Sequence, residues 1–245
     1  MTMIDRLLGA CLLAFAVGNV AAADDAAPAD VEFSEAEVRM WMTDQLSAVD
    51  APIALTYGFE KSGTYEAGFN DRIRLVIDKI IEDGSKSVSI EFFTGERHWP
   101  TPPVASTNVN LVLSKYLEGD VYEMRRLTDP QDRAHERWRY FMRRIKFALA
   151  ESATVEPRTV SFDGREYQGY EIRFQPYSDD PHRNEFEQFA DKVYSVVVAD
   201  ELPGYVYRIE TLVPGGEDAA EPLIHEVLEL KSVEAVTGAP APSAS

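Results

Sequence analysis

"VYSVVVADELPGYVYRIETLV", residues 193–213, carries the strongest strand signal in the chain. Two runs rich in valine, isoleucine and tyrosine, 193–199 and 205–213, flank Pro203-Gly204. β-Branched and aromatic side chains suit a pleated surface, and a short proline–glycine connection joins such runs as a hairpin. The chain therefore contains neighbouring antiparallel strands, and the question becomes how far that pattern extends.

It extends in both directions. Val160 and Phe162 lead through Asp163-Gly164 into a strand bearing Tyr170, Ile172 and Phe174. Upstream, Ile53, Leu55, Tyr57 and Phe59 alternate with smaller or polar residues. So do Ile73, Leu75 and Ile77, and then Val88, Ile90 and Phe92, with turn chemistry at Glu82-Asp83-Gly84-Ser85 between them. Residues 223–230 read as a closing strand. There Ile224, Leu228 and Leu230 share a face with Glu226, while Leu223, His225, Val227 and Glu229 take the other. Alternation alone does not choose which of those faces is buried. Residues 95–107, with three prolines, read as an extended loop.

Helical signals fall at the start and in the middle. Ser34-Glu35-Ala36-Glu37 is a capping box, and Val38, Trp41, Met42 and Leu46 follow at helical spacing, predicting a helix to about Val49. A second helix carries Leu113, Leu117, Val121 and Met124. A third opens at Asp129-Pro130 and buries Ala134, Trp138, Phe141, Met142, Ile145 and Leu149. No period of 20–50 residues marks a repeat protein. Strands joined by short turns and covered on one face belong to an antiparallel sheet. The expected fold is α+β: a curved antiparallel sheet of about eight strands, an N-terminal helix, and two helices inserted between the strand groups. The expected domain spans 24–236, and 237–245 (APAPSAS within it) reads as a disordered tail. The helix-then-meander order resembles the lipoprotein-carrier architecture of bacterial envelopes over most of 34–235. That resemblance is topological, matches no motif and transfers no functional residue.

The N-terminus explains the compartment. Arg6 precedes an apolar run from Leu7 to Val17, and Ala21-Ala22-Ala23 offers a cleavage site, so 1–23 reads as a secretory signal and the mature protein as periplasmic. Leu8-Gly9-Ala10-Cys11 resembles a lipobox, but Cys11 lies inside the apolar run rather than at its end, so lipidation is not expected. Cys11 is the sole cysteine, so the mature chain has no disulfide, thiol nucleophile or cysteine-bound metal. Cleavage removes Asp5 and Arg6 and leaves the net charge at −18, which argues against nucleic acid as a partner. No later segment has transmembrane length.

Against that charge, "RAHERWRYFMRRIKFALA" at 133–150 stands out. On a helical wheel its apolar stripe falls within about 60° of Trp138. Arg137, Arg139, Arg143 and Arg144 spread over the opposite side, with Tyr140 and Phe147 in their midst. Aromatics among arginines suit lipid headgroups or an acidic envelope protein. The alternative is that loops cover these rings and the chain's own acids pair with the arginines. In the proline-rich loop, His98 beside Trp99 forms with Glu96 either an acid–base pair or a rigid, Trp-anchored connection. SDDPHRNE at 178–185 offers calcium-like oxygens without the spacing of an EF-hand, and reads better as a solvated acidic turn.

No HExxH, GxSxG, GxGxxG or phosphate loop occurs, so no catalytic residue, metal or cofactor is expected. Buried carboxylate pairs of the glycosidase kind are open to so acidic a chain, but nothing singles one out. Three functions remain, in descending order. The first is a periplasmic protein carrying a hydrophobic or lipid-like ligand in a half-barrel cavity walled by strand aromatics. The second is an envelope scaffold using the basic helix face. The third is an envelope hydrolase, whose mark would be His98 or two acids converging in one cleft.

Overall fold

The computed structural model describes residues 32–129, 131, 137–216 and 219–236. The signal segment, Cys11, Arg133 to Glu136 of the basic stretch and the tail from 237 lie outside the described residues. Nine strands form one sheet: β1 (Ile53–Ser62), β2 (Phe69–Ile80), β3 (Lys86–Phe92), β4 (Val104–Thr107), β5 (Thr154–Phe162), β6 (Arg165–Phe174), β7 (Val193–Val198), β8 (Val206–Val213) and β9 (Ile224–Ala235). Their order is β4-β3-β2-β1-β9-β8-β7-β6-β5, antiparallel at every pairing. The sheet is thus two meanders, β1–β4 and β5–β8, stitched together by the last strand.

Turn chemistry accounts for the hairpins. Asp163 and Gly164 both take positive φ (48° and 72°), the backbone of a tight turn that matches strand twist. At the 193–213 hairpin, Gly204 sits at φ +82° against β1, where an added Cβ would lie 2.3 Å from Leu55 Cδ1, so only glycine fits. Pro157 is tolerated because β5 is an edge strand.

Two expectations are corrected. Residues 104–107 are not loop: Val104 and Thr107 pair with β3, so the strand count is nine where about eight were expected. The first helix ends at Met42 rather than Val49. It is α-helical over α1 (Glu35–Glu37), with the capping box formed, and widens to a π-turn over Val38–Met42. Polar side chains then take over the backbone's hydrogen bonds. Thr43 Oγ1 donates to the Val38 carbonyl, Asp44 accepts from the Leu46 amide, and Gln45 donates to the Met40 carbonyl.

Two longer helices, α2 (Leu111–Thr128) and α3 (Arg137–Glu151), separate β4 from β5 as expected. Asn110 fixes where α2 lies across the sheet. Its side-chain oxygen caps the Val112 amide, and its side-chain nitrogen donates to Tyr57 on β1 and to the Gly204 carbonyl. Leu113, Leu117, Val121 and Met124 of α2 are buried, with Phe141, Ile145 and Leu149 of α3, and Trp138 and Met142 pack at their edge. Each fully buried side chain of this size contributes about 1.5–3 kcal/mol. On β9 the buried face is Ile224, Glu226, Leu228 and Leu230, which answers the open alternation and places a carboxylate inside.

Candidate functional site

A cavity of about 440 Å³ lies beside α2 and is lined from β1, β2, β3 and β9. One wall is aromatic: Phe59, Phe69, Phe92, Phe93, Trp99 and Tyr116. Phe93 follows β3 with φ +60°, a conformation that costs a non-glycine residue roughly 1–2 kcal/mol. The kink sets its ring 4.8 Å from Phe59, 4.7 Å from Phe92 and 5.8 Å from Phe69. Trp99 is anchored by its amide on the Phe92 carbonyl and by edge contact with the Phe92 ring. Gly119, half-way along α2, faces this wall, and a Cβ there would meet nothing nearer than Trp99 Cζ3 at 3.5 Å.

The opposite side is charged. Lys61, buried on β1, contacts Glu66 at 2.8 Å, Glu226 at 3.1 Å, and Glu123. Burial alone would lower the Lys61 ammonium, but Glu226, Glu123 and Glu66 outweigh it and raise it. Glu226 also accepts from the Tyr116 hydroxyl at 3.0 Å. Deeper still, Asp120 and Lys192 pair with both side chains 1% exposed, and Tyr194 donates to Asp120 at 2.5 Å. Burial, then repulsion from Glu226, pushes the Glu123 carboxyl up despite the lysines nearby. Arg126 at the edge contacts Glu66 at 2.9 Å and Glu123 at 3.3 Å.

Of the residues singled out from sequence, Trp99 lines this cavity, as do Phe59 and Phe92 of the strand aromatics, whereas Tyr57, Tyr170 and Phe174 do not. His98 is exposed, its Nδ1 3.3 Å from the Phe93 carbonyl oxygen rather than on Glu96, so the loop is the Trp-anchored connection. The basic helix divides. Tyr140 donates to Asp180 at 2.7 Å, and Arg144 lies 2.8 Å from the same carboxylate and donates to the Pro176 carbonyl. Arg137 contacts Glu185 at 2.5 Å. Asp180 is buried by these contacts, whereas Asp179, His182 and Glu185 are exposed, so the acidic turn is solvated except at Asp180. Arg139 lies over Trp138, itself stacked on Tyr122. Arg143, Lys146 and Phe147 remain on the surface, Phe147 at 47% exposure.

The charged half of the cavity is not legible in the sequence, apart from Glu226 on an otherwise apolar strand face. Two acids do converge, Glu123 and Glu226; Lys61 bridges them through one oxygen of each, and the Tyr116 hydroxyl donates to the other oxygen of Glu226. Among the described residues no group of three or more metal-ligating side chains occurs, and no helix is long and apolar enough to cross a membrane.

No family model matches the sequence, and no curated protein matches it. Solved structures with a similar course of chain include the lipoprotein LppX of Mycobacterium tuberculosis, at 10% identity over 84% of this chain and 100% of that one, with a TM-score of 0.34. LprF of Mycobacterium bovis shares 8% identity over 86% and 99% of the two chains, also at 0.34. A LolA superfamily protein of Nitrosomonas europaea shares 9% over 82% and 93%, at 0.21.

Proposed function

We propose that this chain is an exported carrier that holds an apolar or amphiphilic small molecule in the cavity beside α2. The observation that carries the reading is the cavity itself, about 440 Å³ with an aromatic wall. Ligand sites commonly span roughly 300–1,000 Å³, mostly apolar with a few fixed polar groups. Two features of the aromatic wall support it. Gly119 weakens an 18-residue helix by roughly 1 kcal/mol relative to alanine, yet nothing crowds its Cβ position. Phe93 holds a strained backbone that turns its ring into the wall, and such strain gathers at ligand sites. Export, and with it a periplasmic setting, rests on the signal-like residues 1–23.

The test is titration with the polarity-sensitive dye N-phenyl-1-naphthylamine. The wild type should enhance its emission saturably, and Gly119→Phe, which projects a ring into the cavity, should weaken binding about tenfold or more. Because glycine is the poorest non-proline helix former, that variant should melt no lower than wild type. Equal dye binding by both proteins would remove the cavity from the account.

One observation favours a second reading, an envelope scaffold: Phe147 stands exposed beside Arg143 and Lys146 on an otherwise acidic protein. Arg143→Glu with Phe147→Ser should release a co-purifying acidic partner while leaving dye binding intact. Unchanged recovery of every partner would end that reading.

A further inference from the structure

Four carboxylates line the cavity: Glu66, Asp120, Glu123 and Glu226. Only three cations touch them among the described residues. Lys61 serves Glu66, Glu123 and Glu226; Arg126 serves Glu66 and Glu123; Lys192 serves Asp120. The remaining cation of the lining, Arg97, is exposed on the rim, stacked 4.3 Å from the Phe69 ring centre and paired with no acid among the described residues. The shielded part of the cavity thus sets three acids, Asp120, Glu123 and Glu226, against two cations, Lys61 and Lys192, while Glu66, Arg126 and Arg97 lie nearer solvent. An unmatched charge beside an apolar wall is unfavourable, and it is relieved by a counter-charge rather than by an apolar group. The same wall attracts cations, because ring faces are electron-rich. Arg97 over Phe69, and Lys115 over Trp99 at 5.3 Å, already use it that way at the edges.

Resting on the carrier reading, we propose that the cavity's ligand carries a positively charged head, a primary or quaternary alkylammonium. The head sits against Glu66, Glu123 and Glu226, and its hydrocarbon lies along Phe59, Phe69 and Phe93. An anionic amphiphile of the same length meets a surplus of carboxylates inside and finds a free counter-charge only at Arg97.

The experiment compares three probes sharing a decyl chain, each below its critical micelle concentration: decyltrimethylammonium, decanol and decyl sulfate. Calorimetric titration at about 0.15 M salt screens the overall charge of −18. The ammonium should bind about tenfold more tightly than decanol, and decyl sulfate more weakly than either. Glu123→Gln should lower the ammonium-to-decanol affinity ratio about tenfold; Glu66→Gln, at a half-exposed position, serves if that variant does not fold. Gly119→Phe should suppress all three probes. Equal affinity for ammonium and decanol in wild type overturns the head-group assignment and leaves the carrier reading standing. Ammonium binding that survives in Gly119→Phe is surface attraction and overturns it too. Failure of decanol and ammonium alike defeats the carrier reading itself.

Discussion

Lys61 and Glu226 face each other across the seam of the sheet. They are register partners on β1 and β9, both on the buried side, with ammonium and carboxylate 3.1 Å apart. Cross-strand neighbours of opposite charge normally sit on solvated faces, where they contribute roughly 0.2–1 kcal/mol. Here the pair lies where the last strand joins the two meanders, and it opens into the cavity. The closing strand therefore both completes the sheet and furnishes the site.

The deeper pair sets the stability of this arrangement. Lys192→Met leaves Asp120 buried with only the Tyr194 hydroxyl as a close donor, and removal of one partner from a buried ion pair costs about 3–5 kcal/mol. Adding Asp120→Asn should restore a large part of that loss. Urea denaturation of the single and double variants checks it, and a loss below about 1 kcal/mol in the single variant would contradict it.

Glu123 should leave a signature in pH dependence. Burial and Glu226 raise its carboxyl above the ordinary value of 4.5, while Lys192 and Lys61 pull it back only in part. A raised carboxyl stabilises the fold below its unfolded value, and that contribution is lost as pH rises through the folded value. Glu66 runs the other way: Lys61 and Arg126 overcome its burial and lower it, so its contribution is lost as pH falls. Glu123→Gln removes only the first effect. Its stability relative to wild type should therefore improve as pH rises above the ordinary glutamate value of 4.5, and level off once the folded carboxyl is ionised. A difference that is flat or declines with pH would count against the buried, repelled carboxyl.

On α3, stability and surface should separate. The Tyr140 hydroxyl, pushed up to about 12 by burial and by the Asp180 carboxylate, donates to that carboxylate. Tyr140→Phe should cost about 1.5–3 kcal/mol, the worth of a hydrogen bond to a charged group. Arg143 is exposed and, among the described residues, touches the face of the Tyr140 ring, so Arg143→Glu should change stability by about 0.5 kcal/mol or less. Thermal melts of the two variants give the comparison, and equal losses would refute the division. Arg144→Glu belongs with Tyr140→Phe, since it sets a carboxylate against buried Asp180.

Much of this fold was legible because its signals are local. Asp163-Gly164, Pro203-Gly204 and the alternation of Tyr57 with Phe59 each specify backbone geometry within a few residues, and the stripe of α3 follows from its period. β4 was missed because four residues after three prolines carry too little alternation to separate strand from loop. The first helix was drawn too long because Thr43, Asp44 and Gln45 end it through side-chain hydrogen bonds that periodicity does not register. The site was half legible. Trp99 and the strand phenylalanines announce an aromatic wall, but Lys61, Asp120, Glu123 and Lys192 read as ordinary surface charge until pairing brings distant segments together. Two signals were available: Glu226 among Ile224, Leu228 and Leu230, and Asp120 beside Leu117 and Val121. Both are charges on faces that are otherwise apolar.

The most direct test is native mass spectrometry of the protein purified gently from its own host, wild type beside Gly119→Phe. The wild type should carry a single amphiphile near equal stoichiometry, absent from the variant. A wild type that arrives without one, or a variant that carries the same molecule in the same amount, would contradict the claim that this cavity is where the protein does its work.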